Sequence, residues 1–254
     1  MSAVTRDGRV LRCRISTGRH GTLDGPAMEE VTAALESLDP AGTGAVLVHG
    51  DGENFCTGGD VRAFASAEDR YAYVHGLADT FHALQRPLAA SPVPTVASVP
   101  GWAAGAGMSV ALVCDLAVGG TSTRMRPAYP GIGFSPDGGM TWLLPRLVGQ
   151  ARARRILLTD EVLDADALTG LGLLTAVVAD DAVADEAATL AHRLAQGPTD
   201  ALGRIRGLLA RTWDTGFAEQ LAAEADSIAT CASGAEGAEG LAAFAEKRRP
   251  VFHP

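Results

Sequence analysis

Long apolar segments are missing from this sequence. No run of about 18 or more apolar residues occurs, whereas a membrane-spanning helix needs about 20. Residues 1–7 also lack the apolar stretch of a secretory signal peptide. These absences argue against a transmembrane helix, and we expect a soluble, cytoplasmic protein.

Positive charge is scarce, and lysine is almost missing. The chain carries 21 Lys and Arg against 30 Asp and Glu, which gives a formal net charge of −9, and its sole lysine is Lys247. The one basic cluster, at 247–249, lies at the far C-terminus. Because binding to a phosphate backbone needs clustered Lys and Arg side chains, the composition argues against nucleic acid as a main partner.

Cysteine is sparse, and its spacing matches no metal or disulfide motif. The four cysteines are Cys13, Cys56, Cys114 and Cys231, and no CxxC pair occurs. We therefore predict free thiols in a reducing compartment and no metal site, with Cys56 a small buried side chain and not a nucleophile. Glycine segments with GxGxxG or Walker spacing are missing too.

Aromatic residues are few. They make up 5% of the 254 residues, although hydrophobic residues make up 47%. A large core is therefore feasible, but it must be packed mainly by Ala, Val and Leu. The length suits one α/β domain, or one such domain with a small helical appendage.

The first 50 residues predict a strand, a helix and a second strand. Residues 10–16 alternate as a strand, residues 26–38 have apolar positions at helical spacing behind an initial proline, and residues 44–49 are a buried strand. This order predicts a βαβ unit and a parallel sheet.

The remaining chain continues in this manner and then becomes helical. Helices are predicted at 65–90, 153–159 and 164–171, and strands at 116–119 and 174–179. Residues 181–245 follow a helical pattern that is broken at 197–198, 216 and 234. We place a domain boundary near Pro198.

Two corners rich in small residues each follow a predicted strand. The strand at 96–99 stops at 100–101, and helical spacing resumes at Gly107; residues 54–60 follow the strand at 45–48 in the same way. Free N–H groups at a helix start attract negative charge, so two such corners suit a carbonyl that develops charge on its oxygen. Taken singly, each corner also fits an ordinary strand-to-helix turn.

Both corners resemble signature segments of the crotonase (enoyl-CoA hydratase/isomerase) superfamily. Residues 55–60 are similar to its FCAGAD segment, and residues 100–107 are similar to its NGxAxGGG segment. The resemblance implies that the backbone amides of Gly59 and Ala106 bind a thioester oxygen. Alanine at the second position departs from the family glycine, but a backbone N–H donates whichever side chain follows it. Their neighbours Gly58 and Gly105 are implied to contact substrate.

The resemblance covers nearly the whole chain and implies its architecture. We expect an α/β fold with a ββα spiral acyl-CoA-binding core at 1–197 and a helical oligomerisation part at 198–254 that makes trimers or hexamers. The closing segment resembles the family sequence AFxEKRxPxF, in which Phe and Lys contact the adenine end of CoA, often across a subunit boundary. These positions are Phe244 and Lys247. Coenzyme A is implied only as part of the substrate, with no metal or redox cofactor.

The positions that carry catalysis in the family differ here. Family hydratases hold a water between two glutamates, and those positions are Ser109 and Tyr129. Without a carboxylate at either one, water cannot be activated in the hydratase manner. Asp137 remains, in a Pro-Asp pair that resembles double-bond isomerases and epoxyphenylacetyl-CoA isomerases. We therefore predict an enoyl-CoA isomerase in which Asp137 moves the proton, Tyr129 lines the acyl pocket and Ser109 orients substrate or caps its helix.

Other assignments of Asp137 stay open at this point. Aspartate is a favoured N-cap residue, and the segment fits an ordinary turn before a helix. In related dehalogenases an aspartate attacks the substrate, and His82 would assist such a dehalogenase-like or thioesterase-like nucleophile. An enoyl-CoA hydratase and a non-catalytic acyl-CoA-binding protein are the remaining alternatives.

Overall fold

The structure is a computed structural model that describes residues 2–253. In this part of the chain the strands are Val4–Asp7 (β1), Val10–Arg14 (β2), Ser16–Thr17 (β3), Thr22–Leu23 (β4), Ala45–His49 (β5), Thr95–Val99 (β6), Trp102–Ala104 (β7), Leu116–Gly120 (β8), Arg124–Arg126 (β9), Leu163–Asp164 (β10) and Ala176–Val178 (β11). The helices are Gly25–Glu36 (α1), Val61–Ser66 (α2), Arg70–Ala89 (α3), Ala106–Val113 (α4), Met140–Val148 (α5), Gln150–Thr159 (α6), Ala165–Gly170 (α7), Val183–Ala195 (α8), Thr199–Arg211 (α9), Phe217–Ser233 (α10) and Ala235–Glu246 (α11).

A six-stranded sheet organises the fold. Its strand order is β1-β2-β5-β6-β8-β11, and every neighbouring pair is parallel except β1 with β2. The predicted βαβ unit is confirmed, because α1 connects β2 to the adjacent parallel strand β5. Parallel strands end at the same edge of a sheet, so the segments that follow β5 and β6 meet there.

Both faces of this sheet are covered. Along β5, Val46 and Val48 pack with α1, α3 and α4 in one core cluster, whereas Ala45 and Leu47 pack with α8 in a second cluster. This alternation follows from the period of two in a strand. A parallel sheet that is buried on both faces needs strands that are apolar for most of their length, and the first four residues of β5 are all apolar.

A small second sheet was not predicted. The segment between Val99 and α4, predicted as a turn, contains β7, which pairs in parallel with β9; β9 in turn pairs with β10. Cys56 also forms an isolated bridge to Ala103 of β7. The prediction was wrong because a strand of three residues is too short to show alternation.

The helix predicted at 65–90 is also divided. It consists of α2 and α3, and the break is made by Asp69, whose side chain accepts a hydrogen bond from the N–H of Ala72 at 2.9 Å. An N-cap of this kind starts a new helix. The predicted helix at 153–159 and the predicted strands at 116–119 and 174–179 are present with bounds shifted by one to three residues.

Past Pro198 the described chain is helical. Gly216 and Gly234 flank α10, where breaks were predicted. Arg206 of α9 ties this part to the core: its Nε donates to Asp115 Oδ2 at 2.6 Å, and its terminal nitrogens donate to the carbonyls of Ser91 and Leu88. The division into two domains at 197/198 remains a prediction. Within residues 2–253, none of the helices combines the length and apolarity needed to span a bilayer.

The N-terminus of α4 leaves no space for a side chain at Gly107. A Cβ there would lie 2.0 Å from the carbonyl oxygen of Cys56, a clash that only a backbone shift relieves. We expect Gly107→Ala to lower the free energy of unfolding by about 3 kcal/mol. Urea unfolding measures this. Gly76→Ala, at an exposed helical position with open space around it, is the control and is expected to be neutral or stabilising. Equal stabilities of the two variants would contradict the close packing.

Candidate active site

A cleft opens where the segments after β5 and β6 meet. Its volume is about 580 Å³, and its walls come mainly from α2, α3 and the chain between β9 and α5. The walls are largely apolar, and they include the side chains of Phe64, Leu77, Phe81, Ile132 and Phe134. Both small-residue corners border it, through Gly58 and Gly59 and through Gly105 and Ala106. The structure thus brings together the two corners that the sequence singled out.

The first corner is held by its backbone. Gly58 has φ +90°, a conformation that suits glycine, and its carbonyl accepts from the N–H of Leu23 at 3.0 Å. Asp60 caps α2 by accepting from the N–H of Arg62 at 2.9 Å. Between them, the N–H of Gly59 donates to no group among residues 2–253. One unused donor therefore lies at the cleft.

The second corner provides a matching donor. Gly105 has φ +57° and ψ −127°, and its N–H donates to the carbonyl of Arg126 at 3.1 Å. Ala106 follows as the first residue of α4, so its N–H has no partner within the helix. A Cβ built on Gly58 would be 3.7 Å from the Ala106 nitrogen, which shows how closely the corners approach. Two free amides beside one cleft can polarise a single carbonyl oxygen.

Asp137 also faces the cleft, and two side chains hold it. The hydroxyl of Tyr129 donates to its Oδ1 at 2.6 Å, and Ser109 Oγ donates to its backbone carbonyl at 3.1 Å. Its Oδ2 accepts no hydrogen bond from the described residues. The N-cap alternative is wrong, because the cap of α5 is Gly139 without a side-chain bond.

The phenol of Tyr129 is a donor at neutral pH. Burial, together with the negative charge of the Asp137 carboxylate, raises the pKa of Tyr129 well above its ordinary value. Its proton therefore remains in place to bond Asp137. The hydrogen bond between Tyr129 and Asp137 was not predicted; Tyr129, assigned to the acyl pocket, borders the cleft and also reaches Asp137. Ser109, assigned to the substrate or the helix, does not border the cleft and instead donates to the backbone carbonyl of Asp137.

Helix α3 supports the residue after Asp137. Gln85 Nε2 donates to the carbonyl of Gly138 at 2.8 Å, and His82 Nε2 accepts from the N–H of Gly138 at 3.1 Å. The lone pair of His82 Nε2 is thereby engaged by a main-chain N–H. His82 does not line the cleft.

Three other predicted residues have different surroundings. Cys56 is fully buried, and burial raises the pKa of its thiol to about 12, which suits a packing side chain as predicted. Phe244 and Lys247 lie at the end of α11 and do not border the cleft of their own chain; the Phe244 ring is 86% exposed. Their contact with CoA across a subunit boundary remains a prediction. Among residues 2–253, no cluster of three or more His, Cys, Asp or Glu suits a metal ion.

Known proteins share this architecture. The family model described as enoyl-CoA hydratase/isomerase matches residues 10–254. The 1,2-epoxyphenylacetyl-CoA isomerase of Escherichia coli K12 is 35% identical over 212 residues, which cover 82% of this chain and 80% of the relative. An enoyl-CoA hydratase structure from Polaromonas sp. JS666 has a TM-score of 0.91 at 30% identity, over 97% of both chains. An enoyl-CoA hydratase structure from Mycobacterium smegmatis has a TM-score of 0.88 at 28% identity, and the match covers 99% of this chain and 98% of that chain. The chain therefore belongs to the enoyl-CoA hydratase/isomerase family and has the predicted crotonase fold.

Proposed function

We propose that the protein is an enoyl-CoA isomerase that moves the double bond of an acyl-CoA thioester. One observation carries the proposal: among the described residues that line the cleft, Asp137 is the only carboxylate. A proton shift needs a single base that takes a proton from one carbon and returns it to another. Addition of water by the family mechanism needs two carboxylates, and their positions are taken by Ser109 and Tyr129.

The reaction is derived from the two corners and Asp137. The thioester oxygen accepts from the N–H groups of Gly59 and Ala106, and Asp137 Oδ2 takes a proton from C2 of a 3-enoyl-CoA. The electron pair of the broken C–H bond then delocalises onto the thioester oxygen. Asp137 returns the proton to C4, and the double bond ends between C2 and C3. The C2 proton is weakly acidic, so the two amides are essential; one such donor contributes about 3–4 kcal/mol to the transition state.

The nucleophilic alternative is less well supported. An aspartate that attacks the thioester substrate needs a second group to activate the water that frees the product. The histidine assigned to that role, His82, is engaged with the Gly138 N–H and lies outside the cleft lining. The histidine that does border the cleft is His75, whose side chain is 58% exposed and paired with Asp79 at 3.0 Å.

The proposal extends to partners. The substrate is an acyl-CoA, and a proton shift changes no oxidation state, so it requires no redox cofactor. Apolar side chains that are exposed on α9 and α10 support subunit contacts in a trimer or hexamer; they include Ile205, Leu209, Phe217 and Ile228. In such an assembly Phe244 and Lys247 would contact CoA bound by a neighbouring subunit.

Product analysis tests the proposal. The protein is incubated with a 3-enoyl-CoA and, separately, a 2-enoyl-CoA, in D2O and in H2¹⁸O, and the products are identified by mass spectrometry. We expect conversion of 3-enoyl to 2-enoyl with deuterium incorporation at carbon and no ¹⁸O. Incorporation of ¹⁸O as a 3-hydroxyacyl product would indicate a hydratase. A covalent adduct on Asp137 would indicate a nucleophile. The absence of both conversion and deuterium exchange would indicate a binding protein, whereas conversion to 2-enoyl-CoA without deuterium would mean that Asp137 carries the C2 proton to C4 without exchange with solvent.

The hydrogen bond from Tyr129 to Asp137 provides a further prediction. Tyr129→Phe removes the donor, and we expect kcat to fall about tenfold with KM changed less than about twofold, since hydrogen bonds to charged groups contribute about 1.5–3 kcal/mol. Steady-state kinetics measure this. Tyr73→Phe is the matched control, because Tyr73 is 43% exposed and does not border the cleft. Full activity of Tyr129→Phe would show that Asp137 needs no such support.

A further inference from the structure

The residue before Tyr129 has an unusual backbone conformation. Ala128 has φ +63°, and only two other non-glycine residues in the described chain have positive φ, Asp160 and Lys247. A Cβ disfavours this left-handed region. Ala128 therefore needs an external constraint to stay there, and its φ sets the direction in which the chain enters Tyr129.

The constraint comes from Asp160. Its Oδ1 accepts a hydrogen bond from the N–H of Ala128 at 2.7 Å, and its Oδ2 accepts from Nε of Arg126 at 3.0 Å. The Asp160 side chain is only 10% exposed. Asp160 itself has φ +51° as the residue that ends α6. Two of the three left-handed non-glycine residues are thus bonded to each other.

Arg126 extends this linkage to the oxyanion corner. Its side chain pairs with Asp160, and its carbonyl accepts from the N–H of Gly105, the residue before the Ala106 amide. The Asp160 carboxylate is therefore connected to both halves of the site, although it does not line the cleft.

We propose that Asp160 is a positioning residue that holds Ala128 in the left-handed conformation and thereby directs the Tyr129 hydroxyl at Asp137. The effect on turnover rests on the proposed function. The effect on Tyr129 does not, because the hydrogen bond from Tyr129 to Asp137 is present whichever reaction the protein catalyses.

A double-mutant cycle tests the linkage. Asp160→Gly removes the carboxylate at a position where glycine adopts the same φ, and Ala128→Gly removes the Cβ that disfavours positive φ. The effect of Asp160→Gly is measured in the wild-type and in the Ala128→Gly background. The first readout is the free energy of unfolding in urea; the contribution of the Tyr129 hydroxyl is each variant minus the same variant with Tyr129→Phe. The second readout is kcat and KM with a 3-enoyl-CoA.

In the wild-type background we expect Asp160→Gly to reduce the contribution of the Tyr129 hydroxyl to the free energy of unfolding to less than half of its wild-type value, because the phenol leaves the Asp137 carboxylate. We also expect kcat to fall about tenfold with KM nearly unchanged. In the Ala128→Gly background we expect each effect of Asp160→Gly to be less than half of its size in the wild-type background, with the change in kcat compared as its logarithm. Circular dichroism verifies folding, and Asp160→Ala, which has no side-chain acceptor, replaces Asp160→Gly under the same criterion if the latter does not fold.

An unchanged contribution of the Tyr129 hydroxyl to the free energy of unfolding in Asp160→Gly would overturn the proposal, even if kcat fell. The proposal would also be overturned if more than half of either effect of Asp160→Gly remained in the Ala128→Gly background, since Asp160 would then not act through Ala128. A reduced contribution of the Tyr129 hydroxyl in Asp160→Gly, with a smaller reduction in the Ala128→Gly background and kcat unchanged, would support the positioning of Tyr129 and refute its use in the proposed isomerisation.

Discussion

Asp137→Asn is expected to lower kcat for a 3-enoyl-CoA by about 1,000-fold or more, because the amide cannot accept the C2 proton and general-base catalysis contributes about 10²–10⁴-fold. The variant keeps an oxygen that can accept from the Tyr129 hydroxyl, so the local structure should be retained. Acyl-CoA binding, which depends on the corners and the cleft walls, is expected to change less than about threefold, since uniform binding does not depend on the base. Single-turnover kinetics and calorimetric titration measure the two quantities.

The control is Asp181→Asn, at an exposed aspartate in the turn Asp180–Ala182. It removes one negative charge far along the chain from the site and should leave kcat unchanged. If Asp137→Asn retained more than about a tenth of wild-type kcat, the carboxylate would not be the base. If the variant also bound acyl-CoA more weakly, deuterium exchange at C2 measured at saturating acyl-CoA would separate the loss of chemistry from the loss of binding.

Ala106→Pro is expected to lower kcat about 100- to 1,000-fold, the usual effect of deleting one oxyanion-hole donor. A backbone N–H can seldom be removed cleanly, but here Ala106 is the first residue of α4, the helical position at which proline is best tolerated. The preceding residue is Gly105, whose backbone is free of the clash that proline imposes on residues with a Cβ. The change therefore removes the donor and keeps the helix.

Ala106→Gly keeps the N–H and is the matched control, for which we expect kcat within about threefold of wild type. Thermal unfolding of both variants verifies that α4 is intact. Wild-type kcat in a folded Ala106→Pro variant would mean that the thioester oxygen does not bind this amide. Alanine in place of the family glycine at position 106 would then affect how the thioester binds, contrary to the argument that a backbone N–H donates whichever side chain follows it.

The elements that could be predicted from the sequence either repeat apolar residues at a regular spacing or resemble a signature segment of the family. Strand β2 alternates in sequence, α1 repeats apolar residues at helical spacing and β5 is mainly apolar, so the βαβ unit could be predicted. The corners at Gly59 and Ala106 followed from the family segments. The breaks around α10 followed from Gly216 and Gly234.

Other features have no local signal in the sequence. Strand β7 is three residues long and exists because β9 and Cys56 pair with it. The bond between Tyr129 and Asp137 depends on the path of the chain through the turn Pro130–Ile132, and residue spacing alone does not reveal that path. The left-handed Ala128 is held by Asp160, which is 32 residues away along the chain. Such long-range hydrogen bonds are set by tertiary structure and not by local propensity.

The most direct test of the central claim is a crystal structure of the protein with a saturated acyl-CoA, which binds as a thioester but offers no double bond to move. We expect the thioester oxygen at about 2.7–3.1 Å from the backbone nitrogens of both Gly59 and Ala106, with C2 about 3–3.5 Å from a carboxylate oxygen of Asp137. A thioester oxygen bound elsewhere, or an Asp137 carboxylate turned away from C2, would contradict the account.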